Sequence, residues 1–429
     1  MKRTKYTSIL FWLLLASLFI FLTLNKHSRS GIFNYHSEIW ADKAGYYVYL
    51  PLTFIYHFDA NSFPNSITDK IGGGFIIDTI NNVVKTKCNY GVALLQAPFF
   101  LIVHFIAKPL GYPDNGFSMP YNRSIDFAAV FYLVMGLFFL WKYLNKRFSK
   151  KLSFFALFFL IAATNLYYYA IDETGMSHIY SFAIFATLIW LIDIFDIKKI
   201  PHVLIISLLF AILIVVRPIN TIFILFLILL QKDKLKLWLS DFKKIKPLKT
   251  IIVLLPAMLI ISLQFFYWKY ASGNYFSYSY KGESFTNLFN PQIFKVWFST
   301  QNGLFIYTPI WLFIIIGIGK MIFDKQKNGW MYLSLFFVLS YIIASWWSWS
   351  MGCGFGNRAY VEYLTIFITP AIFLWKKIAT SKILSYSIIC LFVLCAIYNL
   401  QLTYAWDGCW YGGIWDWQLL WQKFLSTFN

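Results

Sequence analysis

The stretch "YGVALLQAPFFLIVHFIAKPLG", residues 90–111, decides the topology of this chain. It is nearly long enough to cross a bilayer, for which about 20 apolar residues are needed. Counted as a crossing, it inverts everything downstream and puts the basic loop "KYLNKRFSKK", residues 142–151, on the outer face. Short cytoplasmic connections carry the excess of lysine and arginine in polytopic proteins, so that inversion contradicts the charge pattern. The run is also interrupted by Pro98 and His104. We read it as an interfacial or re-entrant segment on the outer face.

The rest of the chain supports a membrane setting. It has 429 residues, of which 59% are hydrophobic and 13% charged. Soluble domains rarely have this composition, whereas repeated apolar runs of about twenty residues read as membrane-spanning helices. The start, "MKRTKYTSILFWLLLASLFIFLTLNKHS", is basic and then apolar but lacks a small-x-small cleavage site, which points to an uncleaved first helix. Further spans are expected near 124–141, 152–170, 179–195, 203–216, 218–230, 250–267, 303–321, 330–346, 363–375 and 383–400. A net charge of +19 on one soluble face would suggest nucleic acid. Here well over half of the 37 basic residues fall in short connections between apolar runs, so no nucleic-acid partner is expected.

The expected fold is therefore all-α and polytopic, with eleven spans, a cytoplasmic N-terminus and an outer C-terminus. Long outer segments fall at 25–123, 268–302 and 401–429, with shorter outer turns at 171–178, 217–218 and 346–362. We divide the chain into a first module, 1–230, and a C-terminal module, 231–429.

Chemistry-bearing residues gather in those outer segments. "SEIWADKAGYYVYL", residues 37–50, holds Glu38 and Asp42, which would share one face of a helix at that spacing. "AIDETGMSHIYSF", residues 170–182, puts Asp172, Glu173 and His178 in a turn too short to be a domain. Acids at a membrane boundary are often only solvated helix ends; two acids and a histidine in seven residues are better explained by a site.

The order of these parts resembles the GT-C superfamily of membrane glycosyltransferases, such as the protein O-mannosyltransferases and the lipid A aminoarabinose transferase. The similarity is clearest over residues 1–230. "NYGVALLQAPFFLIVHF" is similar to the family's interfacial segment, without its paired prolines, and "NRSIDFAAVFYLVMGLFFLWKYLNKRFSKKLSFFALFFLIAATNLYYYAIDETGMSHIYSF" to its Arg-led second helix, basic turn, third helix and acidic outer turn. The resemblance implies inverting transfer of a hexosyl or pentosyl unit from a polyprenyl-phosphate sugar donor to a glycan, lipid or protein acceptor, on the outer side of the inner, cytoplasmic membrane. It implies the catalytic base in the first outer loop, where "WADKAGYY" is the best match, and an acid of the 171–178 turn in acceptor or metal contact. A divalent metal, Mg or Mn, is compatible with that acid set but not demanded by its spacing.

Elementary chemistry asks for the same parts. Inverting transfer needs a carboxylate to deprotonate the acceptor hydroxyl and cations to take up charge on the leaving phosphate. Asp42 is the expected base, with Glu38 one turn back to replace or hold it. Arg217, in "VVRPIN", lies in an otherwise apolar stretch, where a charge is costly and its proline breaks the helix. Its guanidinium could clamp phosphate bidentately or snorkel to headgroups. "SWWSWSMGCGFGNRAYVEY", residues 345–363, combines Trp346, Trp347 and Trp349, which can stack on sugar rings, with Asn357, Arg358 and Glu362. Lys87 and Arg123 are weaker phosphate candidates, and His178 could bond phosphate or sugar.

The tail from Tyr404 holds five tryptophans and reads first as an aromatic belt. The five cysteines form no metal or redox motif, and a Cys353–Cys409 disulfide is permitted by the topology. Two other classes compete with a transferase. A lipid or solute transporter would favour internal repeats and polar residues near mid-membrane. An O-antigen polymerase or ligase would rely on arginines and a large late loop.

Overall fold

In the computed structural model the described residues are 2–242, 247–280 and 282–426. The loop lysines 243, 244 and 246, and the side chains of Lys2, Arg3 and Lys5, lie outside them. The chain is mostly helical. Among the described residues, four helices are long and apolar enough to cross a membrane: Ile9–Ser28, Met119–Asn145, Lys249–Ser272 and Lys382–Ala405. Other expected spans form helices of 17 residues or fewer, such as Ser177–Asp193, Ile200–Val216 and Gly329–Ser345. At 1.5 Å per residue these reach about 25 Å, less than the ~30 Å hydrocarbon core.

The run that governs the topology forms one helix, Gly91–Ala107, with Pro98 inside it. Its first half is buried, while Ile102, Phe105 and Ile106 are exposed. Gly91 lies against the backbone of Val215 and Val216, where a Cβ would stand 2.3 Å from the Val216 nitrogen. Only glycine permits that approach.

Two expected spans are broken, 303–321 into Leu304–Tyr307 and Ile310–Phe323, and 152–170, while the break expected between 203–216 and 218–230 is present. The run 152–170 divides into Lys150–Ala162 and Leu166–Ile171. At the break the Thr164 hydroxyl bonds the Leu160 carbonyl and accepts from the Leu166 N–H, replacing helical backbone bonds. Helix Ile200–Val216 ends at Arg217, which is extended, and Pro218 begins a short 3₁₀ turn before Thr221–Leu230. Proline cannot donate the next helical bond and disfavours helical geometry at the residue before it, so the Arg-Pro step stops the helix.

The chain forms two compact units, each assembled from separate stretches. One comprises Met1–Phe138 and Tyr169–Lys281, the other Phe139–Tyr168 and Gly282–Asn429. The boundary expected at 230 does not coincide with this division: residues 231–281 belong with the first unit.

In the first unit, the long segment after the first helix has its own core. Tyr47, Val48, Leu52, Phe75, Phe100 and Phe117 are among its buried members. It includes an antiparallel hairpin, Ile76–Asp78 with Val83–Lys85, in the register Ile77 opposite Val84. Helix Pro247–Ser272 closes the edge of that hairpin with two tyrosine hydroxyls. Tyr267 accepts from the Thr86 N–H at 3.0 Å and donates to the Val84 carbonyl at 3.1 Å, and Tyr270 accepts from the Val84 N–H at 3.0 Å. An edge strand left bare would expose a row of unpaired backbone groups.

In the second unit, a Cys353–Cys409 disulfide joins the tryptophan- and glycine-rich turn to the C-terminal tail. Asn302 donates to the carbonyls of Ser350 and Gly352 at 3.0 and 2.9 Å, holding the same turn.

Candidate active site

Glu38 and Asp42 do not share a helix face. The helix begins at Asp42 and runs to Tyr47, and its preceding residue, Ala41, has φ 46°. That left-handed step costs energy for a residue with a Cβ and turns the chain between the two acids. The carboxylates part as a result. Side-chain exposure is 0% for Glu38 and 28% for Asp42, against 5% for Asp172 and 18% for Glu173. Asp42 is thus the acid of the set most open to water.

Asp42 sits beside cations and phenols. Lys87 Nζ lies 3.3 Å from its Oδ1 and 5.8 Å from the centre of the Tyr280 ring. The Ser279 hydroxyl donates to the Lys87 carbonyl at 2.9 Å, which brings the 268–280 segment onto this part of the first loop. Burial holds the Tyr46 hydroxyl well above its ordinary range; Cys88 adds to the shift, Arg217 opposes it and Asp42 adds again. Tyr280 is pushed up in the same way, by burial first and then by Tyr46 and Cys88, with Arg217 opposing and Asp42 adding. Asp42 and Arg217 therefore act on the same two phenols.

The second acidic turn packs on the first loop. A Cβ at Gly175 would stand 2.7 Å from the Glu38 carbonyl oxygen, so glycine lets the turn lie against that stretch. Each acid of the turn meets a lysine: Asp172 with Lys26 at 3.2 Å and Glu173 with the buried Lys43 at 3.2 Å. The Tyr46 hydroxyl donates to Ser177 Oγ at 3.3 Å. Arg217 Nη1 lies 3.4 Å from His178 Nδ1, whose ring meets that of Tyr169 edge to face.

Glu38 faces the interior. Arg123 Nη1 bonds its Oε1 and also lies 3.3 Å from Asp126 Oδ2, and Arg123 Nη2 donates to the His27 carbonyl at 3.0 Å. Breaking a buried pair of this kind by removing one partner typically costs about 3–5 kcal/mol. Glu38 thus anchors the loop that carries Asp42.

The structure brings Asp42, Lys87, Asp172, Glu173, His178 and Arg217 together in the first unit. Arg358, Asn357, Trp347 and Trp349 belong to the second. There Asn357 is buried and holds the turn, accepting from the Ala359 N–H and donating to the Trp349 carbonyl at 3.3 Å each. Arg358 reaches the Cys353 carbonyl at 3.5 Å, Lys295 lies 5.9 Å over the Trp349 ring, and Trp347 is exposed.

Sequence reasoning missed Lys26, Lys43, Asp126 and Tyr280. Lys43, next to Asp42, and Asp126, three residues after Arg123, were visible as charges near others. Tyr280 carried no signal, being one tyrosine among 29. No family model matches the chain, and no curated protein or solved structure matches it.

Proposed function

We propose that this protein is an inverting membrane glycosyltransferase of the GT-C type. It takes a sugar from a polyprenyl-phosphate donor and passes it to an acceptor hydroxyl on the non-cytoplasmic side of the inner membrane. In this reading the chain crosses the bilayer eleven times from a cytoplasmic N-terminus, and helix Gly91–Ala107 lies at the outer interface.

The observation that carries the proposal is the contrast among the acids. Asp42 keeps solvent access, whereas Glu38 is buried on Arg123. A general base must reach the acceptor proton, and Asp42 is the acid of the set with the most access. Lys87 orients it. Arg217 and His178, which lie together, are the groups proposed to take up charge on the departing phosphate. Glu173, held by Lys43, is proposed to contact the acceptor.

The test is direct. Purified protein in detergent, given a polyprenyl-phosphate sugar and an acceptor, should release free polyprenyl phosphate as the glycosylated acceptor forms. Movement of the intact donor lipid across vesicles without release of its sugar would replace the transferase with a transporter. A mass comparison of surface glycans between cells with and without the protein identifies the sugar and the acceptor.

A further inference from the structure

Behind the proposed base lies a second cluster that this reaction does not use. His27 is at the end of the first helix, Glu38 in the loop after it, and Asp126 in the helix Met119–Asn145. All three side chains are buried, and one ligand atom from each lies within 4.8 Å of the others.

Two features separate the cluster from an ordinary ion-pair network. Arg123 takes Glu38 Oε1 and Asp126 Oδ2 and leaves the other oxygen of each carboxylate turned to His27. Glu38 Oε2 is 3.8 Å from His27 Nδ1, and Asp126 Oδ1 is 3.6 Å from His27 Nε2. These separations exceed a hydrogen bond. Both His27 ring nitrogens and Glu38 Oε2 are accordingly buried without a hydrogen-bond partner. Buried polar atoms are almost always satisfied, and an imidazole with both nitrogens unpaired beside an unpaired carboxylate oxygen asks for an explanation.

We infer that His27, Glu38 and Asp126 form a binding site for a divalent transition-metal ion. Two ligands each about 2.1 Å from a common ion stand roughly 3.4–4.2 Å apart, depending on the angle between them. The 3.8 and 3.6 Å spacings involve different ring nitrogens of His27, of which an ion takes one; with one atom from each residue the three donors lie within 4.8 Å of one another, a small side-chain adjustment from that window. One nitrogen and two carboxylate oxygens suit zinc or manganese better than magnesium, which prefers oxygen ligands and keeps its waters. Two carboxylates against one guanidinium also leave a negative charge for a cation to balance. Arg123 and Thr174, whose hydroxyl donates to Asp126 Oδ1 at 2.9 Å, supply the outer hydrogen bonds that hold metal-binding carboxylates in place. The rival occupant is a proton shared by the Glu38 and Asp126 carboxylates.

Metal analysis decides between them, and it does not depend on the transfer reaction. The full-length protein, purified in detergent with its affinity tag removed, should carry about one zinc or manganese per chain by mass spectrometry. Chelation should lower its melting temperature, and Zn²⁺ or Mn²⁺, but not equimolar Mg²⁺, should restore it. Co²⁺ added to the chelated protein should give visible absorption that His27→Gln abolishes. Arg123→Met should weaken metal affinity on the order of 10–100-fold, the usual cost of losing an outer partner. Metal-free protein as isolated, with no response of the melting temperature or the spectrum to Zn²⁺, Mn²⁺ or Co²⁺, would overturn the inference and leave the site to a proton on the carboxylate pair. The native protein alone gives that answer if a variant fails to fold.

Discussion

Lys87 Nζ lies 3.3 Å from Asp42 Oδ1, and this contact joins the start of the first helix after Ala41 to the residue that follows the hairpin by two positions. It holds a partly exposed carboxylate in one orientation at the surface of a loop whose other acid, Glu38, points inward. The proposed chemistry depends on that difference.

Asp42→Asn keeps the shape of the side chain but accepts no proton at neutral pH. Release of polyprenyl phosphate should fall on the order of a hundredfold or more, the scale for losing a positioned general base. The melting temperature should hardly change, because the side chain is not buried. If Asp42→Asn turns over normally while Glu173→Gln is inactive, the base belongs to the second acidic turn.

Glu38→Ala should behave in the opposite sense. It strands Arg123 in the interior, and stability should drop by about 3–5 kcal/mol, read as a large fall in melting temperature. An unchanged melting temperature would mean that the Glu38–Arg123 pair does not anchor the loop.

Arg217→Met should act on donor affinity. Losing a guanidinium that binds phosphate weakens the charge-assisted bond, worth roughly 1.5–3 kcal/mol, so donor KM should rise at least about tenfold. A change confined to kcat would instead place Arg217 at the transition state and not in donor binding.

The proposed orientation is checked by labelling single cysteines in a Cys390→Ser background with a membrane-impermeant maleimide. Ser62, Phe289 and Tyr411 are exposed and should react from outside as cysteines, whereas Lys146 and Ser240 are exposed but should react only after permeabilisation. The reverse pattern would turn the protein over and move Asp42 to the cytoplasmic side.

The Cys353–Cys409 bond closes a span of 56 residues. In the chain-entropy account a loop of that length is worth roughly 4 kcal/mol, so Cys353→Ser should lower the melting temperature and expose the 345–363 turn to proteolysis. Free thiols at both positions in protein prepared without reductant would remove the disulfide and this prediction with it.

Much of the organisation was legible in the sequence because it depends on local composition. Long apolar runs become helices, Arg217-Pro218 ends one, and the 90–111 run becomes a single helix, Gly91–Ala107. Asp42, the acids at 172–173, His178 and Arg217 stood out because charge is expensive in so apolar a chain. The hairpin at 76–85 did not stand out, since three-residue strands leave almost no periodic signal and their edge is satisfied by Tyr267 and Tyr270 from far along the chain.

The sequence by itself determined that this is a helical, membrane-type chain in which a few acids and arginines stand out beside its apolar runs. Only the tertiary structure decided what each of those charges does. The spacing of Glu38 and Asp42 predicts a shared helix face, but the positive φ of Ala41 separates them, and no residue type announces that step. Which acid is buried then follows from partners distant in sequence, Arg123 for Glu38 and Lys87 for Asp42. Burial and pairing are properties of three-dimensional neighbours, and for a carboxylate they make the difference between an anchor and a base.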